Sequence, residues 1–566
     1  MDSLPQEVVD QLCGFLTPDD LRNTVTISRK FQHSSENASG VWNAIWLKEQ
    51  DIGMFMACYT ERRWRYLRRV QFQTVIPPYE GDGRCRLKLE PESNYCRESE
   101  RELHEKDVLF TNQIMWLFET LHTMEAKCGR GNIGLWIYTP VRNTGWRTCP
   151  HRKFPSWRLR LFNPERLPRL PSISTLNIEE GKTVHPLEQP ESLLKIDLRI
   201  LVDLIAKLPT LEFLDCNINA GGGWTTDYER EPQVIRHYTK DWAGPLRDSR
   251  NGFSNALEGA SLPTSLRKAN LNFMWPVWEV ENIDQTMALP NLIGAGSFDP
   301  FSSSLRLLCQ SMTTLQITAM IDGTLFWPAD GAASWPNLEH LHVHFHMATP
   351  SGGWYFKGPE DDETIVTEAT EVTASSYPPL MDTHDDEFWD DEASKYGLIF
   401  DSTCKRFRVK PDEETMRPFL ESFAKAAAQM PVLKTACLWC PLQWDADDID
   451  RYEDYDIEVE LEAVSGSAAT STAWGVSYLG TGEEGANPLP GTLVGLPGVR
   501  QLSWATGSWR PDHELHDLFK MIGNRDSPLI EYWPGDDNCD YSNMRGKFGR
   551  YSLFEPTATG LTITKG

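Results

Sequence analysis

Apolar and polar positions follow a helical period in three short stretches at the start of the chain. In the first stretch the apolar residues are Val8, Val9, Leu12, Phe15 and Leu16. Their spacing places them on one face of a helix. Thr17 and Pro18 are typical of a helix N-cap and first turn. The second and third stripes consist of Leu21 and Val25, and of Trp42, Ile45 and Trp46. The pattern predicts three short amphipathic helices.

A longer alternation of helix and strand patterns begins near residue 107. A helical face of Leu109, Phe110, Ile114, Leu117, Phe118 and Leu121 precedes a buried-strand pattern from Gly134 to Tyr138. A helix–proline–strand unit then recurs. Its copies are LPSISTLNI from Leu170, LPTLEFLDC from Leu208, LPTSLRKANL from Leu262, WPNLEHLHV from Trp335, MPVLKTACL from Met430 and LPGVRQLSW from Leu496, with a weaker copy, MTTLQITAM, from Met312. Each proline should end a helix, and the alternating apolar residues after it should face a shared core.

This recurrence resembles a leucine-rich-repeat array, in which parallel strands line the inner face and helices lie outside. The successive prolines are 38 to 95 residues apart, whereas repeats of that family span roughly 20–29 residues. The resemblance therefore implies an irregular array with long insertions. An ordinary α/β domain with recurrent helix–proline–strand turns is the alternative that the pattern leaves open.

The first 46 residues resemble the F-box, a three-helix module that docks on the Skp-type adaptor of cullin–RING ubiquitin ligases. The matching residues are Leu4, Pro5, Leu12, Leu16, Pro18, Leu21, Phe31 and Trp42. A segment of this length buries too little apolar surface to fold unaided. The resemblance implies that nine residues together form the core and the adaptor-binding surface of the module, and sequence does not divide them between the two. They are Leu4, Pro5, Val8, Val9, Leu12, Leu16, Leu21, Val25 and Trp42. An ordinary N-terminal helical cap is the alternative.

The predicted fold class is α/β: a three-helix F-box followed by an irregular leucine-rich-repeat-like α/β solenoid with acidic loop insertions. We expect the F-box at residues 1–50, a helix and linker at 51–106, and the array at 107–566. The acidic insertions are residues 360–394, with 13 Asp or Glu and no Lys or Arg, and residues 445–462, with 10 Asp or Glu and one Arg. Both are expected to be solvated loops.

Charge and composition argue against some classes of binding partner. The net charge of −26 argues against phosphate-backbone binding, so no nucleic-acid partner is expected. No apolar run approaches a membrane span, so no membrane partner is expected either. The 12 scattered cysteines are typical of reduced thiols in an intracellular protein, cytoplasmic or nuclear.

Two groups of residues are candidates for substrate contact. His340, His342, His344 and His346 recur at period two, so on a strand they share one face. We do not expect a metal site there, because no Cys, Asp or Glu completes a ligand set nearby. A basic stretch from residue 151 to 169 contains Arg152, Arg158 and Arg160, whose guanidinium groups suit phosphate or carboxylate recognition. Pairing with one of the acidic loops and plain solvation are the rival explanations for that stretch.

No catalytic motif is recognisable, and the CxxC pair Cys437 and Cys440 precedes an acidic run that disfavours a reactive thiol. We therefore expect a non-enzyme without cofactors. The module order resembles fungal substrate-recognition subunits of SCF-type ubiquitin ligases, in which the F-box binds the adaptor and the array binds a protein substrate that sequence does not identify. A protein-interaction scaffold that carries an F-box without promoting ubiquitin transfer is the alternative.

Overall fold

The computed structural model describes residues 4–77, 97–143, 156–179, 191–218, 241–274, 283, 285–328, 331, 335–358, 368–381, 383–386, 388–389, 407–443, 471–483, 498–507 and 509–533. Arg152 and the acidic segment 445–462 lie outside these residues, as does the segment 78–96.

The described helices are distributed along the whole chain. They are α1 (Gln6–Gly14), α2 (Pro18–Thr24), α3 (Arg29–Ala38), α4 (Ile52–Cys58), α5 (Glu61–Tyr66), α6 (Glu100–Cys128), α7 (Arg199–Ile205), α8 (Ala243–Glu258), α9 (Pro300–Cys309), α10 (Glu413–Ala428) and α11 (His513–Lys520). The longest, α6, begins with a capping box in which Ser99 and Glu102 satisfy each other's backbone N–H groups.

One large sheet joins most of the strands. Its members are β1 (Ala44–Leu47), β2 (Arg69–Val75), β3 (Ile133–Asn143), β4 (Ile173–Glu179), β5 (Glu191–Leu193), β6 (Phe213–Asn217), β7 (Lys268–Asn272), β9 (Thr314–Ala319), β10 (His340–Phe345), β14 (Thr435–Gln443), β15 (Ser471–Leu479), β16 (Arg500–Ala505) and β17 (Leu529–Tyr532). Short pairs elsewhere are formed by β8 (Pro290–Asn291) with β12 (Thr370–Glu371) and by β11 (Phe356–Lys357) with β13 (Lys410–Pro411).

Neighbouring strands of the large sheet follow chain order from β1 to β17, apart from β5, which pairs with the end of β3. The pairs are parallel except those of β5 with β3 and of β15 with β14 and β16. The six proline-containing copies of the repeated unit and its weaker copy all lead into strands, namely β4, β6, β7, β9, β10, β14 and β16. The predicted α/β class with a largely parallel sheet is therefore confirmed.

The helices form a row beside the sheet. Helix α7 contacts α8, which contacts α9; a 3-10 turn at Gly323–Leu325 links α9 to α10, and α10 contacts α11. Apolar strand residues such as Leu315 and Val343 join helix residues such as Phe301 in one continuous core. Burial of these side chains is the main stabilising contribution to this layer.

Two expectations are wrong. Trp42, Ile45 and Trp46 do not lie on a third helix: residues 44–47 form β1, and α3 occupies residues 29–38 instead. Pairing with β2 accounts for the difference, since Ile45 and Leu47 face the large core from alternate strand positions. The helical unit thus ends at residue 38, and the stretch after residue 40 belongs to the sheet.

The acidic insertion at 360–394 is also not wholly a solvated loop. In its described part, Asp386 is buried and receives two hydrogen bonds from Arg97, at 2.9 and 2.5 Å. Tyr377 donates to Asp248 at 2.9 Å and accepts from Arg247 at 3.0 Å. The ion pair with Arg97 therefore outweighs the tendency of this acidic segment to remain solvated.

Gly475 tests how tightly β14 and β15 pack. A Cβ added at Gly475 would lie 2.7 Å from the Cβ of Trp439, 2.8 Å from its Cα, and against the carbonyl of Leu438. Because these atoms belong to or adjoin the backbone, they cannot move aside. We expect Gly475→Ala to lower the free energy of unfolding by about 1–3 kcal/mol in urea titrations. Gly53→Ala in α4 is the control, because no atom lies within 4 Å of its added Cβ; equal stabilities of the two variants would contradict the packing.

Candidate functional site

The three N-terminal helices have a small core of their own. Val9 and Cys13 of α1 meet Leu21 of α2 and Phe31 of α3, and all four are buried. This cluster is separate from the large core beneath the sheet. The helices therefore fold mainly on one another rather than beneath the later part of the chain.

Side-chain caps define where α2 and α3 begin. Thr17 is the N-cap of α2 and accepts a hydrogen bond from the backbone N–H of Asp20, with Pro18 in the first turn as predicted. Ser28 is the N-cap of α3 and accepts from the N–H of Phe31. Such caps satisfy N–H groups that a helix start leaves unpaired, which stabilises helices this short.

The structure divides the predicted adaptor-binding residues into three groups. Val9 and Leu21 are buried in the small core, Leu4 and Leu16 pack against it, and Val25 is half-buried. Trp42 packs against the large core instead. Pro5, Val8 and Leu12 are exposed. The apolar stripe of α1 is thus wider than its own core, and part of it faces solvent.

The solvent-facing part of α1 forms a row that we name the α1 face: Pro5, Val8, Leu12 and Phe15. Val8, Leu12 and Phe15 are 39%, 46% and 88% exposed. Their spacing of four and three residues puts them one above the other on the helix. Phe15 was not among the predicted site residues, although its spacing from Val8 was a usable signal. Adjacent exposed apolar side chains of this kind are typical of a docking site.

Glu36 attaches the small helical unit to the rest of the protein. Its buried carboxylate, on α3, accepts from Arg62 at 2.5 Å and from Arg63 at 2.7 Å, both on α5. Arg63 also lies over the ring of Trp42, at 4.1 Å from the centroid. Burial alone would raise the pKa of Glu36, but the hydrogen bond from Arg63 and the two positive charges outweigh it and lower the pKa. Glu36 is therefore an ionised link between α3 and α5.

We expect Glu36→Gln to loosen this attachment. The neutral amide accepts more weakly and leaves two arginines without a counter-charge, so the free energy of unfolding should fall by about 1–3 kcal/mol. Limited proteolysis should also cut between residues 38 and 60 sooner than in the wild type. Arg22→Ala is the control, because its ion pair with Asp19 on α2 is fully exposed. Identical proteolysis of Glu36→Gln and the wild type would refute the link.

The histidines of β10 lie on the face of the sheet away from the helices. Leu341, Val343 and Phe345 point into the large core, so His340, His342 and His344 occupy the opposite face. His344 stacks on Trp439, with 4.2 Å between ring centroids. Burial, with a smaller effect of His340, lowers the pKa of His342 to about 3, which keeps its imidazole neutral. The predicted role of these residues in substrate contact stays a prediction.

His346 follows β10 and has a structural contact: its Nδ1 accepts from the N–H of Ala348 at 3.0 Å. His340, at the start of the strand, pairs with Thr435 of β14 at 3.0 Å. Within the described residues, no group of three His, Cys, Asp or Glu side chains is placed to hold a metal ion.

An amide–carboxylate row of Asn177, Asp215 and Asn270 occupies the same face further along the sheet. Asp215 of β6 accepts from the amide of Asn177 on β4 at 3.0 Å and from that of Asn270 on β7 at 2.9 Å. Burial, reinforced by the negative charge of Glu179, raises the pKa of Asp215 to about 6, against a lowering effect of Asn270. The ionised form is therefore disfavoured in the folded protein.

This shift predicts a pH dependence of stability. Because the folded protein holds the proton of Asp215 more tightly than the unfolded chain, the contribution to stability is full below about pH 4 and is lost as pH rises through about 6. We expect Asp215→Asn to remove this contribution. Melting temperatures measured from about pH 4 to about pH 8 should then decline less steeply in the variant than in the wild type. Parallel curves for the two proteins would contradict the shifted pKa.

The predicted arginine group does not act as one cluster. Arg158 is buried and pairs with Asp241, which also receives a hydrogen bond from Lys195 at 2.8 Å. Arg160 is exposed, and its backbone N–H donates to the carboxylate of Asp107 at 2.9 Å. Arg158 therefore has an internal partner, whereas Arg160 remains accessible for a role in substrate contact.

The comparisons with known proteins assign no family. No family model matches the chain, and no curated protein matches it. The described helices include none with the length and apolar character needed to cross a membrane. Cys437 and Cys440 are both buried, and burial raises the pKa of the Cys437 thiol, which opposes thiolate chemistry. Functional inference therefore rests on the α1 face and the sheet.

Proposed function

We propose that this chain is the substrate-recognition subunit of an SCF-type ubiquitin ligase. In this proposal its N-terminal helices are an F-box that docks on a Skp-type adaptor, and the sheet region binds the target protein. The observation that carries the proposal is the α1 face: a row of apolar side chains that neither the small core nor the large core covers.

The α1 face would gain free energy from a partner that covers it. Full burial of a Val, Leu or Phe side chain contributes about 1.5–3 kcal/mol. Covering Val8, Leu12 and Phe15 therefore favours association even after lost side-chain and molecular motion offsets part of this gain. Because Val9 and Cys13 already hold α1 in place, little further ordering is needed on binding. A preformed helix face of this kind suits a helical protein partner.

The sheet supports the second half of the proposal. Strands that follow chain order, most of them after a described helix or turn, are the arrangement of a repeat array. We infer an irregular leucine-rich-repeat-like solenoid, with β15 as a departure because it runs antiparallel to its neighbours. The face that carries the histidines would then be the inner face; His340 is half-buried there, whereas His342, His344 and His346 are buried, so a target would contact other parts of this face.

Catalysis would reside in the partner subunits, and this chain would be non-enzymatic. Its contribution would be to hold the target at high effective concentration near the conjugating enzyme. The link from Glu36 to Arg62 and Arg63 supports such a role, since it couples the adaptor-binding helices to the target-binding region.

The central experiment replaces Leu12 by Glu. A buried charge without a partner is costly, so Leu12→Glu should weaken co-purification with a recombinant Skp-type adaptor at least about tenfold. Leu307→Glu is the matched control: Leu307 lies on α9 and is 47% exposed, against 46% for Leu12. Both variants should retain the melting temperature of the wild type.

The outcomes separate the alternatives. Undiminished adaptor binding by Leu12→Glu would refute docking through the α1 face. If the chain binds the adaptor but deleting the chain changes the ubiquitination of no co-purified protein, the scaffold function is favoured. A truncation that tests the N-terminal helices should remove residues 1–39 rather than 1–50, because the longer truncation would also remove β1 from the sheet.

A further inference from the structure

Several arginines in the described part of the chain are paired with carboxylates. Arg97 binds Asp386 and Arg250 binds Asp299, and all four side chains are buried. This is expected where 81 acidic residues outnumber 55 basic ones. Arg69 is among the arginines whose guanidinium group no described carboxylate or carbonyl contacts. A cation left unpaired in an acidic protein is available to an external partner.

The position of Arg69 is fixed by the sheet. It begins β2, in register with Ala44 of β1 and Gly134 of β3. Its guanidinium lies over the indole of Trp136, at 4.3 Å from the ring centroid. Gly134 makes room for that indole, because an added Cβ would lie 2.8 Å from the Cη2 of Trp136. Stacking on the ring holds the planar guanidinium while leaving its N–H edge free to donate.

Further half-exposed side chains continue this surface. Trp46, Gln71 and Trp136 are in register across β1, β2 and β3, so the Cα atoms of the two tryptophans lie roughly 10 Å apart. Trp46 stacks on Tyr138 with 5.1 Å between centroids, and Gln71 donates to the hydroxyl of Tyr138 at 3.1 Å. The surface is therefore held in shape by contacts within the sheet.

We name Trp46, Arg69, Gln71 and Trp136 the Arg69 surface. It combines the guanidinium group of Arg69 with two aromatic rings on the face of the sheet away from the helices.

We propose that the Arg69 surface binds an acidic peptide segment of a partner protein. A carboxylate can accept two parallel hydrogen bonds from the free edge of Arg69, and the indoles can pack against the apolar part of the same segment. A peptide is favoured over a nucleic acid because a single arginine neutralises few phosphates, whereas it suffices to pair with one carboxylate. This inference stands apart from adaptor docking and holds whether or not the α1 face binds an adaptor.

The test uses the full chain and a fluorescein-labelled, glutamate-rich peptide with a central tyrosine. Fluorescence anisotropy should detect binding that weakens with salt, and the same peptide with glutamine for glutamate should not bind. Arg69→Ala should weaken binding at least about tenfold. Arg69→Lys should give an intermediate loss, because lysine keeps the charge but not the planar pair of donors.

Arg510→Ala is the matched control. Arg510 also stacks on an indole, that of Trp533, at 4.5 Å, but its Nη1 already donates to the carbonyls of Gly507 and Trp509. Its replacement should leave peptide binding unchanged. Equal binding by Arg69→Ala and the wild type, no binding of the acidic peptide, or tighter binding of a single-stranded oligonucleotide would each overturn the proposal. Melting temperatures of the variants distinguish loss of contact from loss of fold.

Discussion

Alternation of side chains along the strands is the constraint on which the rest of this structure depends. Every second residue of the parallel strands faces the row of helices, and the resulting core runs from Leu47 of β1 to Ile522 after α11. Since the period of a strand is two, the remaining residues must occupy the opposite face. The histidines of β10, the amide–carboxylate row at Asp215 and the Arg69 surface all lie there for this one reason.

Much of this sheet could be predicted from sequence, because its signals are local. A proline that ends a helix and is followed by alternating apolar residues specifies a strand wherever it occurs, and the length of the preceding insertion does not matter. The helix prediction for Trp42, Ile45 and Trp46 is wrong for a related reason. Three apolar residues over five positions fit a helix, and only the pairing of Ile45 and Leu47 with β2 shows that this segment is a strand.

The candidate docking face could be predicted only as an undivided stripe. Val8 and Val9 are neighbours in sequence and equally apolar, yet Val9 is buried and Val8 is exposed. The difference arises because α2 and α3 cover only one side of α1, through Leu21 and Phe31. Which side they cover is a tertiary property that helical periodicity does not contain. The burial of Asp386 is similar, because its partner Arg97 lies 289 residues away.

The basic run from residue 62 to 69 illustrates how tertiary structure assigns different tasks to one charged segment. Arg62 and Arg63 turn toward Glu36 and fix the N-terminal helices, whereas Arg69 stacks on Trp136 and faces outward. Trp64 and Leu67 are buried between them, so the segment cannot rotate to exchange these roles. A partner held at the Arg69 surface would consequently keep a fixed position relative to α1, since only a short, well-packed stretch joins the two. Because Trp64 and Leu67 both lie in the large core, this stretch is a rigid connection.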